Sequence, residues 1–360
     1  MSKNNEFTIS QNTLKKLLNA KKNDGFEKKN WDEWFLDIFS EKKLSKDKSV
    51  EKFFYKNDFD QWVQNFTLNL DKIQKESSAK EIILNQTSKN DFVIIIGAGP
   101  SLKKHNHLEK LAKSNYNGAI ICTDRSLIPA LKAGVTPEKF PNFYVITIDA
   151  YKEIQKYYDD EIVNKFGNLI KGIFSILTFP DAVNKARNAG IKINWIHPLF
   201  DYADGQKSFN NISALMIRAK DPVHKLPAIQ TGGNVGTSGW FVGWKILKSK
   251  TICLIGMNHG WEEDDPEDLI FSHGNVGNIS EIKGDEKKIQ KLFPKIFNPY
   301  FKTNCILDPI FEYYSSTLKE FIVRSPDNVL TINSTEGGSL FGERIKCLNF
   351  SEFLAKFEQN

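Results

Sequence analysis

From residue 91 onward, short apolar runs alternate with segments whose apolar residues recur at helical spacing. The runs 92–96, 119–123, 144–148, 172–176, 191–195 and 251–255 are predicted strands, and 329–332 is a weaker one. Between them lie predicted helices at 107–113, 126–133, 151–158, 180–188, 235–247 and 310–323. The run Phe92-Val-Ile-Ile-Ile96 has no polar position, so this strand is expected to be covered on both faces. The alternation predicts an α/β fold, a Rossmann-like doubly wound, mostly parallel sheet. Such sheets bind ligands at the carboxyl ends of their strands, so position relative to a strand end tests each candidate residue.

Residues 1–90 read differently. Apolar residues recur at helical spacing in Trp31, Trp34, Phe35 and Phe39, and again in Phe53, Phe54, Phe59, Trp62, Phe66 and Leu70. No Gly or Pro falls between Gly25 and Gly97. The pattern predicts an N-terminal helical extension over 1–90, followed by a catalytic domain over 91–360. Its aromatic stripe is expected to dock on the main domain or to hold two subunits together in a homo-oligomer. Segments 197–231 and 257–282 are rich in Gly, Asp and Asn, as binding loops or active-site covers are.

Composition narrows the function classes. The 360 residues are 40% hydrophobic and 26% charged, ordinary for a soluble globular protein. No apolar run approaches the roughly 20 residues that span a bilayer, and the N-terminus lacks a signal-peptide core, so no membrane span and a cytoplasmic location are expected. Cys122, Cys253, Cys305 and Cys347 are widely spaced, which fits reduced core thiols and argues against zinc. The net charge is +5, and in residues 1–60 lysines interleave with Asp, Glu and Asn. That is the composition of a solvated helix face, so no nucleic-acid partner is expected.

Candidate chemistry gathers at predicted strand ends. Gly97-Ala98-Gly99-Pro100-Ser101 follows the first strand and leads into a helix. Free amides there, with a helix dipole behind them, attract phosphate. Leu102 stands where the dinucleotide fingerprint has its third glycine, so a structural turn and a flavin or nicotinamide site stay open as alternatives. Thr123 and Asp124 close the second strand and Asp149 follows the third. Two carboxylates beside a phosphate turn are suited to Mg²⁺; alternatively, Asp124 caps the following helix or meets a ribose hydroxyl. Arg125 and Ser126 are weaker candidates. Thr231-Gly232-Gly233-Asn234 opens a second Gly-rich turn, either an anion cradle or a site of tight helix–sheet packing. Asn258 and His259 follow the strand at 251–255, and His259 is a candidate proton carrier. His105 and His107 read as a helix start, and Ser272-His273 lies in the acidic loop downstream.

Gly97-Ala-Gly-Pro-Ser-Leu102, Thr123-Asp124, Gly134-Val-Thr-Pro137 and Ile148-Asp149 follow one another in an ordered set. Gly232-Gly-Asn-Val235, Leu254-Ile-Gly-Met257 and Asn333-Ser-Thr-Glu-Gly-Gly338 complete it. In this order the chain resembles the MptE-like family over roughly residues 80–355. That family includes archaeal 6-hydroxymethyl-7,8-dihydropterin pyrophosphokinases and the Maf proteins linked to flagellin glycosylation. The resemblance implies a Mg²⁺-dependent transfer of diphosphate from ATP to a pterin alcohol, releasing AMP. The alternatives are transfer from a nucleotide-activated sugar to a glycan, or a silent nucleotide-binding module. It further implies that Gly97, Gly99, Pro100 and Ser101 form the phosphate turn, with Ala98 between them. Asp124 and Asp149 would carry the metal, and Gly232, Gly233 and Asn234 the second cradle. One departure stands out: the family's usual acidic residue after the Leu-Ile-Gly-x strand end is here Asn258. Gly260-Trp261 and Ser272-His273 look more like the Maf-type continuation.

Overall fold

A computed structural model describes residues 46–84, 91–199, 208–218, 226–265, 290, 293–307 and 309–357. The predicted strands form one large parallel sheet. Its strands are β1 (Ser77–Ser78), β2 (Phe92–Ile96), β3 (Ala119–Thr123), β4 (Phe143–Thr147), β5 (Lys171–Ser175) and β6 (Lys192–Leu199). They continue with β7 (Ala228–Gln230), β8 (Thr251–Ile255), β11 (Leu330–Asn333) and β12 (Ile345–Cys347). A separate antiparallel hairpin is made by β9 (Lys295–Asn298) and β10 (Thr303–Ile306). The main order is β1-β6-β5-β4-β3-β2-β8-β11-β12, with β7 beside the end of β6. The chain winds outward from β2 to β6, then returns to build β8, β11 and β12 on the other side. Strand order therefore reverses between β2 and β8, the topological switch point of a Rossmann-like fold.

The period-two rule assigns each strand residue to a face. Ile94 and Ile96 of β2, with Ile120, Val145 and Phe174, join one core together with Leu111, Leu127 and Phe353. Val93 and Ile95, with Ile121, Ile146 and Leu254, join the other core beneath Trp240, Leu318 and Ile322. Helices thus cover both faces, which is why the strands carry almost no polar residue. Trp31, Trp34, Phe35 and Phe39 lie outside the described residues, as does Ser272-His273. Among the described residues no helix is long and apolar enough to cross a membrane. Cys122, Cys253 and Cys305 are free and buried.

The N-terminal segment is not wholly helical. Helix α1 (Lys46–Lys75) ends in a turn that carries Ser77 and Ser78 into register beside Asn194 and Trp195 of β6. Glu76 anchors this turn, accepting from Arg187 Nε at 2.7 Å, Arg187 Nη2 at 3.0 Å and Trp195 Nε1 at 2.9 Å. Farther up, Trp62 and Phe66 of α1 pack edge-on against Phe209 in the first core. β7 and β12 are three residues each, too short for a period to emerge from the sequence. The predicted helix 151–158 is a tighter 3₁₀ segment, Lys152–Tyr158. The one predicted at 235–247 is α-helical only over Val235–Phe241, then widens into a π turn over Val242–Ile246. Glu76→Ala should leave the indole N–H of fully buried Trp195 unpaired and lower stability by about 2 kcal/mol, measured by urea unfolding.

Candidate active site at the carboxyl rim of the sheet

Because every strand pair in the large sheet is parallel, the ends of β4, β3, β2, β8 and β11 line one rim in that order. Asp149, Asp124, Gly97–Ser101, Asn258–His259 and Ser334–Ser339 therefore stand side by side. Neighbouring strands are about 4.8 Å apart, so the rim from β4 to β8 spans roughly 14 Å.

Asp124 begins helix α2 (Asp124–Lys132) and is buried, with Oδ1 accepting from the Arg125 amide at 2.7 Å. Its Oδ2 is buried and has no hydrogen-bond partner among the described residues. Burial, and then the neighbouring charge of Asp149, push its pKa up from 3.8 to about 7, against the pull of the Arg125 amide and Thr147. Asp149 is only half-buried. The two carboxylates thus feel each other in a poorly solvated place. The pair is ringed by phenols. Tyr157 is pushed up to about 12 by burial, with Arg125, Asp124 and Asp149 acting on it as well. Tyr158 hydrogen-bonds Thr147, the last residue of β4. Tyr151 donates to Asp58 of α1 at 2.6 Å, and burial holds its pKa well above the ordinary phenol value.

The first glycine turn does something other than expected. Gly97 N–H donates to Ile255 O at 2.9 Å and Gly99 N–H to Gly256 O at 2.8 Å. Ser101 Oγ donates to Asn258 Oδ1 at 2.8 Å, and its amide points at the same oxygen from 3.4 Å. A Cβ at Gly99 would run into Asn258 Oδ1 and stand 2.7 Å from Gly256 O. Both glycine amides are spent on the loop after β8, and the switch-point crevice between β2 and β8 is filled by the chain's own backbone. The glycines are needed for this close approach. Pro100 precedes a helical turn of only four residues, Ser101–Lys104. Asn258 supplies an acceptor for Ser101 where an acidic side chain was expected.

The second turn sits at the start of helix α3 (Val235–Phe241), which crosses the opposite face of the sheet. Gly232 and Gly233 both have positive φ, 54° and 78°, the left-handed region that favours glycine. Asn234 caps the helix, its Oδ1 accepting from Thr237 N at 2.9 Å. Helix α4 (Pro309–Val323) lays Tyr313 and Tyr314 over this turn: a Cβ at Gly233 would come within 2.8 Å of a ring carbon of each. Tyr314 also lies 6.2 Å, ring to ring, from His259 and acts electrostatically on Tyr151.

His259 is buried in a left-handed conformation, φ 42°, with Nδ1 unpartnered among the described residues. Burial, then the charge of Lys319, push its pKa down to about 3, so it is a neutral imidazole at neutral pH. It stands three strands from Asp149 along the rim and does not join the carboxylate pair. Its carbonyl accepts from Ser339 Oγ at 2.8 Å, and Met257 N–H donates to Thr335 Oγ1 at 3.2 Å. The loop Ser334–Ser339 thus braces the loop after β8. His105 and His107 serve Glu336 of that loop, at 3.8 Å and 3.2 Å. Burial opposes the charge on Glu336, but His107, the Phe350 amide and Lys110 outweigh it and hold its pKa near 2.

The family described as 6-hydroxymethylpterin diphosphokinase MptE-like matches residues 64–264, more than half of the chain. The chain belongs to the MptE-like family. The match contains both aspartates, both glycine turns and Asn258–His259. Among curated proteins nothing matches. Among solved structures, the Maf glycosyltransferase from Magnetospirillum magneticum AMB-1 is similar with a TM-score of 0.45 at 12% identity. That match covers 79% of this chain and 40% of the Maf protein, so the chain spans well under half the length of that relative.

Thr147, Tyr151, Tyr157 and Tyr314 escaped the sequence reading, although Thr147 and the Tyr157-Tyr158 pair flank Asp149 closely enough to have signalled it. Gly99→Ala should force β2 and the β8 loop apart and cost about 2 kcal/mol in urea unfolding. Asp124 binds its proton more tightly folded than unfolded, so ionising it in place costs stability as pH rises from 3.8 to about 7. In buffer with a chelator, Asp124→Asn should therefore gain thermal midpoint over the native protein across that window and keep the gain at pH 8.

Proposed function

We infer that this protein is a Mg²⁺-dependent diphosphotransferase of the pterin diphosphokinase type. The observation that carries the reading is the buried Asp124 carboxylate, with one oxygen unpartnered among the described residues and Asp149 beside it. Two repelling carboxylates with a spare oxygen suit a hard divalent cation that completes its shell with substrate phosphates. Among the described residues there is no group of three or more His, Cys, Asp or Glu able to hold a metal alone. A site of this kind depends on the phosphates themselves, as nucleotide-metal sites do.

In the proposed reaction, the pterin hydroxymethyl oxygen attacks the β-phosphorus of ATP. The bond from that phosphorus to the oxygen bridging the α-phosphorus breaks, AMP leaves with that oxygen, and the hydroxyl proton passes through half-buried Asp149 to solvent. Mg²⁺ held by Asp124 and Asp149 would neutralise charge on the transferred phosphates. Arg125, adjoining Asp124, supplies a fixed positive charge on the same side. Tyr314 covers the turn at Gly232, Gly233 and Asn234, whose Gly233 and Asn234 amides are spent on Thr231. His259 offers a neutral hydrogen bond. It carries no charge.

The test is thermal stabilisation by ATP, AMP, CMP, UDP and GDP, with and without Mg²⁺, alongside AMP release in the presence of 6-hydroxymethyl-7,8-dihydropterin. ATP with Mg²⁺ should stabilise the native protein by several degrees and yield AMP. Asp124→Ala and Asp149→Ala should lose both effects, with turnover down at least about a hundredfold. Stabilisation by CMP or UDP alone would replace this reading with transfer from a nucleotide-activated sugar.

A further inference from the structure

Asp58, Gln61, Asn65 and Asn69 of α1 are spaced three, four and four residues apart, so they share one helix face. Every one of them bonds to the loops that leave β4 and β5. Gln61 Nε2 donates to Ala150 O at 3.0 Å, and Asn65 Nδ2 donates to the same oxygen at 2.8 Å and to Leu177 O at 3.0 Å. Asn69 Nδ2 donates to Thr178 O at 2.7 Å, and Asp58 accepts from Tyr151 at 2.6 Å. Asp58, Asn65 and Asn69 are each 3% exposed.

A helix packed only for stability would put apolar side chains here, because each buried amide must recover its lost hydration through hydrogen bonds. This face instead targets carbonyls next to the acidic pair. Ala150 and Tyr151 directly follow Asp149. Thr178, held by Asn69, donates from its Oγ1 to Thr147 O at 3.3 Å, and Thr147 eases the ionisation of Asp124, pulling its pKa down. One helix face therefore reaches Asp149 through one intervening residue, Ala150, and Asp124 through two, Thr178 and Thr147. Asp58 and Gln61 lie upstream of the segment that matches the family.

We propose that α1 belongs to the active site as a positioning element: its amide face sets the Ala150 peptide and the β5 loop, and thereby the separation and aim of Asp149 and Asp124. The proposal rests on the reading that the pair holds a metal with nucleotide. Asn65 is the central positioning residue, since it alone ties both loops.

The decisive comparison is full-length native protein against Asn65→Leu, with Leu68→Ala as the control on the exposed side of α1 and Gln61→Leu as a milder variant should Asn65→Leu fail to fold. Amide hydrogen exchange by mass spectrometry reads the loops directly, and electron paramagnetic resonance reads Mn²⁺ binding in the presence of ADP. Asn65→Leu should speed exchange in peptides covering 148–152 and 176–178 by about tenfold while the rest of the sheet stays protected. Its Mn²⁺ affinity with ADP should fall about tenfold, as when a group supporting a metal ligand is lost. Leu68→Ala should change neither. Faster loop exchange with native Mn²⁺ affinity, or unchanged exchange, would overturn the positioning role. Native protein that binds no Mn²⁺ with ADP would instead remove the metal reading, and this inference with it.

Discussion

Adjacent parallel strands bring two carboxylates, Asp124 and Asp149, to a poorly hydrated place, where the charge of one raises the cost of ionising the other. Asp124 cannot move out into water, because it opens a helix whose next turns, through Leu127, Ala130 and Leu131, are locked into the first core. Asp149 follows the adjacent parallel strand and has no register in which to retreat. The fold thus brings the charges together through backbone constraints. The Arg125 amide and charge, with Thr147, moderate the cost without removing it.

The rest of the rim is built to leave that charge unmet. The place where a doubly wound sheet ordinarily opens a crevice, between β2 and β8, is closed here by backbone hydrogen bonds and the Asn258 side chain. Asp124 and Asp149 stand beyond it, at the ends of β3 and β4. The family match, residues 64–264, covers the strand ends from β4 to β8.

The central strands were legible because they are buried on both faces: 92–96, 119–123 and 251–255 coincide with the observed elements. Asp124 and Asp149 were legible as strand-end residues because each directly follows an apolar run. The first glycine turn was found but its purpose was not. Whether a glycine admits a phosphate or another strand's loop depends on what stands opposite, and Gly256–Asn258 is more than 150 residues away in sequence. Tyr314 and the amides of α1 were invisible for a related reason. A tyrosine on a distant helix carries no local signal, and Asn or Gln on a helix ordinarily marks the solvent side. Only tertiary contact shows Asn65 and Asn69 facing inward.

Glu336 gives the architecture a temporal dimension. From a left-handed turn after β11 it grips His107 near the start of the sheet and the Phe350 amide at the head of the last helix, while its neighbours Thr335 and Ser339 brace the β8 loop. A nascent chain can pair β2 through β6 while synthesis continues. The wall beyond β8 has to wait until the C-terminal helix has emerged from the ribosome. The flank of β2 stays open until β8 is made, and the edge of β8 until β11 follows, about 75 residues later.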